Sequence, residues 1–335
     1  ALNGSWDAET IKIVWDEMMS AAGVDILFHC HVAGAMKDGD AMKGILVETK
    51  SGRAALAAGR VVDCTGDGIV CAHAGVGFDL GVAGAPWAMA CTLGARVGPV
   101  RMPEGMSVKE FRAKIEENHR AALASGRYTA SGIVHGRIPQ KAKTFEMRKP
   151  PFGEETGIGN GRALEVNPIE PFSLTAAERL ARREVAEIAE YYRKCIPGAE
   201  ESYLIQTAAH IGVRSSRRIH GVDKMTAEDV LDLRKDANSV ARGAWYVDIW
   251  SAVDHEAPTI DRGRDRIARM SESLKAGDYY DIRYGCLVAK GVDNLLVAGR
   301  CLSAEHEAQA SLRIQQTCMS TGEAAGVAAA MSLRA

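Results

Sequence analysis

The segment that most limits what this chain can become is Val61-Val62-Asp63-Cys64 followed by Thr65-Gly66-Asp67-Gly68. A short apolar run that ends in a glycine-rich turn reads as a buried strand turning into a helix, here over residues 69–74. Strand C-termini in open α/β sheets are where nucleotides lie, and glycines let backbone approach a ligand closely. An ordinary strand-to-helix turn carries the same letters, and on these residues alone the two readings stand even. A second segment raises the functional one. Residues 294–298 read as another buried strand; it ends at Gly299-Arg300, crosses a polar loop and leads through Ala310-Ser311-Leu312-Arg313 into an alanine-rich helix expected over 312–333. A helix start offers unpaired N–H groups and a positive dipole end, so an anionic group is stabilised there. Gly322 and Gly326 give that helix a narrow face for close packing against a sheet or a ligand.

The rest of the chain changes texture twice. Asp7 reads as an N-cap, and Ile11, Val14, Trp15, Met18, Met19 and Ala22 recur at helical spacing up to Gly23. Short strands follow over 24–35, 44–50, 53–57 and 60–64, with Asp38-Gly39 and Ser51-Gly52 as hairpin turns. From about residue 81 to 282 longer polar helices dominate, expected over 108–125, 176–194, 227–235 and 261–276, with a long loop over 147–171. Strand texture returns at 284–289.

Charge and composition remove several function classes. The net charge of −2 has both signs interspersed, so nothing resembles the basic footprint that nucleic acid or an anionic membrane demands. No apolar run reaches the ~20 residues of a membrane span, and Ala1 opens no signal peptide. The eight cysteines are scattered without a CxxC, which predicts reduced, buried thiols in a cytoplasmic protein. His29 and His31 share a strand face but have no third metal ligand at useful spacing, so no metal is expected. Nucleophile elbow, P-loop and HExxH motifs are absent. Trp245, Tyr246 and Trp250 line a pocket or belong to the core, with the core as the expectation.

Taken together, Thr65-Gly66-Asp67-Gly68 after an apolar strand, Leu295-Leu296-Val297-Ala298-Gly299-Arg300-Cys301 with Ser303-Ala304 and His306-Glu307-Ala308, and Ser311-Leu312-Arg313 leading into Cys318-Met319 and Gly322-Glu323-Ala324-Ala325-Gly326 resemble the FAD-dependent oxidoreductase family. Gly212-Val213-Arg214-Ser215-Ser216-Arg217-Arg218-Ile219 and Met225-Thr226-Ala227-Glu228-Asp229-Val230 are similar to that family's interior. The family belongs to the glutathione-reductase-like flavoprotein superfamily, alongside the succinate dehydrogenase and fumarate reductase flavoproteins. The resemblance implies an α/β fold: a glutathione-reductase-like FAD-binding domain from residues 1–80 and 283–335, incomplete at its N-terminus, with an inserted α+β substrate domain at 81–282.

It also implies roles. Thr65, Gly66, Asp67, Gly299, Arg300, Ser311, Leu312 and Arg313 would contact FAD, the helix start at Leu312 meeting the N1 and O2 edge of the isoalloxazine. His306, Arg214 and Arg217, with Arg218 beside them, would contact a small, anionic substrate that exchanges a hydride with the flavin. A salt-bridge cluster explains the arginines equally well from composition. The family opens with a strand, a GxGxxG turn and a helix, and no such unit stands here; Gly157, Gly159 and Gly161 lie in the expected loop rather than in a fingerprint. A truncated chain or a second polypeptide carrying the unit is therefore expected, as is a homo-oligomer or such a complex. A flavin-free scaffolding subunit is the alternative, and a nicotinamide-dependent dehydrogenase a third.

Overall fold

The computed structural model describes residues 8–82, 84–138, 155–253 and 264–334. Helix α1 (Ala8–Ala21) leads to an antiparallel meander of β1 (Cys30–Asp38), β2 (Ala41–Thr49) and β3 (Gly52–Ala57). Gly39 and Gly52 take positive φ at the two hairpin turns, as expected of glycine there. Strand β4 (Val61–Asp63) then runs through the glycine turn into α2 (Ile69–His73), and β5 (Phe78–Asp79) follows.

A second unit starts at β6 (Cys91–Gly98) and packs α3 (Val108–Ala124), α4 (Ser131–Val134) and α5 (Pro171–Cys195) against a sheet ordered β7-β6-β8, with β7 at Thr156–Ala163 and β8 at Tyr203–Thr207. Capping starts its helices. Ser107 and Glu110 form a capping box on α3, while Glu170 accepts from Phe172 N and Ser173 N ahead of Pro171 on α5. Ala177, Ala181, Val185, Ile188 and Tyr192, three or four residues apart, form the buried stripe of α5. Each large side chain so buried contributes roughly 1.5–3 kcal/mol.

After β9 (Arg218–Ile219), which pairs with β5, come α6 (Ala227–Leu231), β10 (Ser239–Gly243), α7 (Arg264–Lys275) and β11 (Tyr280–Arg283), the last pairing with β10. Strand β12 (Leu295–Val297) lies parallel to β4, with Leu295 opposite Val61 and Val297 opposite Asp63. That pairing positions the site, because it delivers the turns after both strands to one end of the molecule. The chain closes with α8 (His306–Leu312) and α9 (Gln315–Ser332). The result is a mixed α/β fold with several small sheets around two apolar cores. One core holds Leu93, Phe111, Ile133 and Ile188 of the second unit; the other joins Cys71 and Met42 to Met225, Met270, Tyr280 and Val297.

The structure corrects several expectations. The expected loop contains β7, in which Gly161 serves packing: a Cβ there would stand 2.3 Å from Ala181 O of α5. Tyr284–Leu287 is a 3₁₀ turn, and the strand of that region lies earlier, at β11. The helix expected over 312–333 runs from Gln315 to Ser332, and a separate helix, His306–Leu312, stands before it where a polar loop was expected. Nor is α9 buried all round: Gly322 and Gly326 would let a Cβ meet nothing within 4 Å, and Val327 and Met331 are exposed. Trp245 and Tyr246 stack on each other half-exposed rather than filling the core, and Trp250 is only partly buried. All eight cysteines are free, yet Cys64 is exposed and Cys30, Cys195 and Cys318 only partly covered. His29 stands at φ 56 just before β1, so it shares no strand face with His31. Among the described residues no group of three or more His, Cys, Asp or Glu could hold a metal, and no helix is long and apolar enough to cross a membrane. Asp7, residues 147–154 and residues 261–263 lie outside the described residues.

Candidate active site

Asp63, fully buried at the end of β4, organises the first turn. Its Oδ1 accepts from Thr65 N at 3.0 Å and Thr65 Oγ1 at 2.7 Å, and its Oδ2 from Cys71 N at 2.9 Å. The Thr65 hydroxyl in turn accepts from Ile69 N at 3.1 Å, so its bonding shapes the turn. Gly66 has φ +74, and a Cβ there would lie 2.8 Å from Arg300 Nη2. Glycine is thus what allows the Arg300 guanidinium to rest on the turn. Asp67 binds the arrangement together: its Oδ1 accepts from Ser216 Oγ at 2.6 Å and lies 3.0 Å from Arg300 Nη1, and its carbonyl accepts from Arg217 Nη1 at 3.0 Å.

The turn after β12 reaches the same place. Gly299, at φ +81, donates its N–H to Thr321 Oγ1 of α9 at 3.1 Å, and Arg300 follows. His306 opens α8 instead of sitting in a loop. Ser311 and Leu312 stand at the buried C-terminal end of α8, not at a helix start. Ser311 Oγ donates to Trp245 O at 2.6 Å and lies 2.7 Å from the Tyr280 hydroxyl, while Leu312 belongs to the core. These two residues anchor α8 and present no helix N-terminus to a ligand. The helix start expected at Leu312 is found at Gln315, two residues beyond Arg313, and carries no side-chain cap.

Arginines converge between the turns. Arg214 Nη1 donates to Ala90 O and Thr92 Oγ1, both at 3.0 Å, and its guanidinium lies 4.5 Å from the Trp250 ring centre. Arg137 and Arg162 approach the same ring at 5.0 and 5.6 Å. Arg217 packs 5.2 Å from the Phe78 ring. Arg218, 5 % exposed, donates from Nη2 to Gly81 O at 2.9 Å, but its Nε and Nη1 are buried without a partner among the described residues. Arg313 donates from Nη2 to Asp248 O at 2.7 Å and likewise leaves Nε unpartnered.

Electrostatics follow from that crowding. Burial and neighbouring Arg313 pull Arg214 down to about 10. Burial, then Arg218 and Arg313, pull His306 down to about 4, so its imidazole is neutral near pH 7. Its Nδ1 is also buried without a partner. The structure therefore brings Arg214, Arg217, Arg218, Arg300, Arg313 and His306 into one cluster. Sequence reasoning missed Asp248, Ser216 and Gln309. Asp248-x-Trp250 beside an arginine-rich segment was the available signal for the first; Ser216 and Gln309 carry none apart from neighbouring site residues.

A parallel strand pair thus delivers a glycine turn and an arginine-bearing turn to one buried cationic cluster. The family model described as FAD dependent oxidoreductase matches residues 2–335, and the chain belongs to that family. It is an oxidoreductase, and its cofactor is FAD. No curated protein and no solved structure matches it.

Proposed function

We propose that this oxidoreductase exchanges a hydride between FAD and a small organic anion seated on the arginine cluster. The observation that carries it is Arg218, whose Nε and Nη1 are buried with no partner. A buried donor left unmade costs about 1–3 kcal/mol, more for a charged group, so a ligand oxygen that accepts these N–H groups is favoured there. Arg214 and Arg217 add charge on one side, and neutral His306 offers a proton-accepting nitrogen.

The donor set also fits the flavin. Arg300 on Gly66, the N–H groups at the start of α9 and Arg313 with its unpartnered Nε are suited to an electron-rich group, and Thr65, Gly66, Asp67 and Gly299 shape the backbone around it. When bound, FAD accepts or returns an electron pair as hydride. Arg300 and Arg313 would favour the reduced, more negative form, and Trp245 and Tyr246 would restrict water.

The glutathione-reductase-like division, residues 1–80 and 283–335 around 81–282, belongs to the same proposal. So does a further α/β segment, on this or another polypeptide, that covers the exposed apolar faces of α1 and α9 and completes the FAD site. Ile13, Trp15, Met18, Leu27, Phe28, Val327 and Met331 are exposed on those elements and the segment after α1. Free cysteines agree with a cytoplasmic setting.

Two titrations test this. FAD added to the 335-residue chain alone should bind weakly, and submicromolar affinity would remove the covering segment. Acetate or succinate added to the FAD-loaded enzyme should perturb the flavin absorbance. A spectrum that neither acid changes would remove the anion site.

A further inference from the structure

Gln309 lies one turn beyond His306 on α8 and is 1 % exposed. Its Nε2 donates to Arg214 O and to Arg300 O, both at 3.2 Å. Two carbonyl neighbours fix the orientation of the amide, because only the NH₂ end can serve them. The carbonyl end, Oε1, is thereby directed away from both, and it is buried without a partner among the described residues. His306 Nδ1 is buried and unpartnered too, and positions three apart on a helix share a face.

This leaves an unpartnered acceptor and an unpartnered ring nitrogen on one face of α8, with Arg218 and Arg313 close enough to His306 to depress its pKa. Buried polar atoms are almost always satisfied, so the set describes what should fill it. Guanidinium N–H groups take a carboxylate. An amide oxygen beside an imidazole takes a group that both donates and accepts, which is a hydroxyl. An ammonium would also donate to both, but it would be repelled by the surrounding guanidiniums.

We propose that the substrate is an α-hydroxy acid, its carboxylate on Arg218 and its hydroxyl between Gln309 Oε1 and His306 Nδ1. The inference rests on the anion-site reading above and adds the hydroxyl to it. With the Nδ1–H tautomer of His306 the hydroxyl donates to Gln309 Oε1 and accepts from the imidazole. With the Nε2–H tautomer it donates to Nδ1, and this arrangement reacts. The C–H bond on the hydroxyl carbon breaks with its electron pair leaving as hydride to the oxidised FAD, which is reduced. The O–H bond breaks with its proton passing to His306 Nδ1, and the carbon–oxygen double bond forms. The products are the α-keto acid, reduced flavin and an imidazolium. Gln309 Oε1 holds the hydroxyl in the Nδ1–H arrangement, before the proton turns to His306, and moves no proton itself.

The test uses the FAD-loaded enzyme under anaerobic conditions with three pairs: glycolate and acetate, lactate and propionate, malate and succinate. At least one hydroxy acid should bleach the flavin and bind at least tenfold more tightly than its deoxy partner. Gln309→Met, which removes the acceptor, should raise KM for that acid about tenfold with kcat largely retained and bring the pair to near-equal affinity. Gln309→Glu, which keeps an acceptor, should preserve the preference, and His306→Gln should lower kcat. If no hydroxy acid is preferred in the wild type, or Gln309→Met keeps the preference, the hydroxyl seat is wrong. If Arg218→Met leaves the affinity of both members of each pair unchanged, the failure lies instead in the anion-site reading.

Discussion

The arginine cluster and the exposed apolar faces of α1 and α9 are opposites. In the cluster, polar atoms are buried and lack partners: Arg218 Nε and Nη1, Arg313 Nε, His306 Nδ1 and Gln309 Oε1. On the two helix faces apolar side chains are exposed and lack cover, with Met18 at 63 % and Met331 at 66 %. Each departs from the rule that apolar groups go inside and buried polar groups are paired. The departures have different meanings. An unpaired buried donor calls for a small ligand of matching polarity, whereas an uncovered apolar helix face calls for more polypeptide. A 14-residue helix such as α1 is marginal in water without packing, which strengthens the second point.

Four substitutions sharpen the contrast. Ser311→Asp should have the largest effect. It places a carboxylate in the buried space between Tyr280 and Trp245 O, and denaturant melts should show a loss of several kcal/mol. A stable variant with a lowered flavin potential would restore Ser311 as a flavin contact. Arg218→Met should weaken anion affinity by about 100-fold, roughly 2.7 kcal/mol, and lower Tm only by the loss of the single bond from Nη2 to Gly81 O, because Nε and Nη1 have no partner among the described residues. A large drop in Tm would mean that the guanidinium serves the fold.

His306 gives a pH dependence of intermediate size. Its folded value of about 4 lies below the ordinary 6.5, so the unfolded chain takes up the proton first. Its contribution to stability is complete above pH 6.5 and is lost as pH falls toward 4, at about 1.4 kcal/mol per pH unit. His306→Gln should flatten that part of the stability profile, and an unaltered profile would place the acid sensitivity elsewhere. An anion beside Arg218 and Arg313 offsets the charges that depress His306, so anion binding should be accompanied by proton uptake. The smallest effect belongs to the exposed faces. Met18→Lys should change the stability of the chain by no more than about 0.5 kcal/mol, since the side chain is already in water. A larger loss would show that α1 already packs through that residue.

Much of the cluster was legible in the sequence because strand-to-turn chemistry is local. The apolar runs ending at Asp63 and Val297 specify strands, and the glycines after them specify turns, so Thr65, Gly66, Gly299 and Arg300 arrive together once β4 and β12 pair. The helix over α3 was legible from its polar, charge-rich sequence. What failed depended on distant contacts. Nothing local announces that Leu312 closes one helix rather than opening the next, since Arg313 at the break is held by Asp248 from another segment. Thr156–Ala163 looked like a loop because Gly161 is explained only by the approach of α5. Gln309 was invisible for the same reason: its partners are the carbonyls of Arg214 and Arg300.

The central claim is that the unpartnered arginine donors exist to receive a substrate anion. A crystal structure of the FAD-loaded enzyme with a non-reacting carboxylate, taken at moderate and at high ligand concentration, tests it most directly. The account predicts a carboxylate oxygen within hydrogen-bond distance of Arg218 Nε or Nη1 at both concentrations. A carboxylate bound elsewhere, with ordered water or a protein group occupying those two donors, would contradict it.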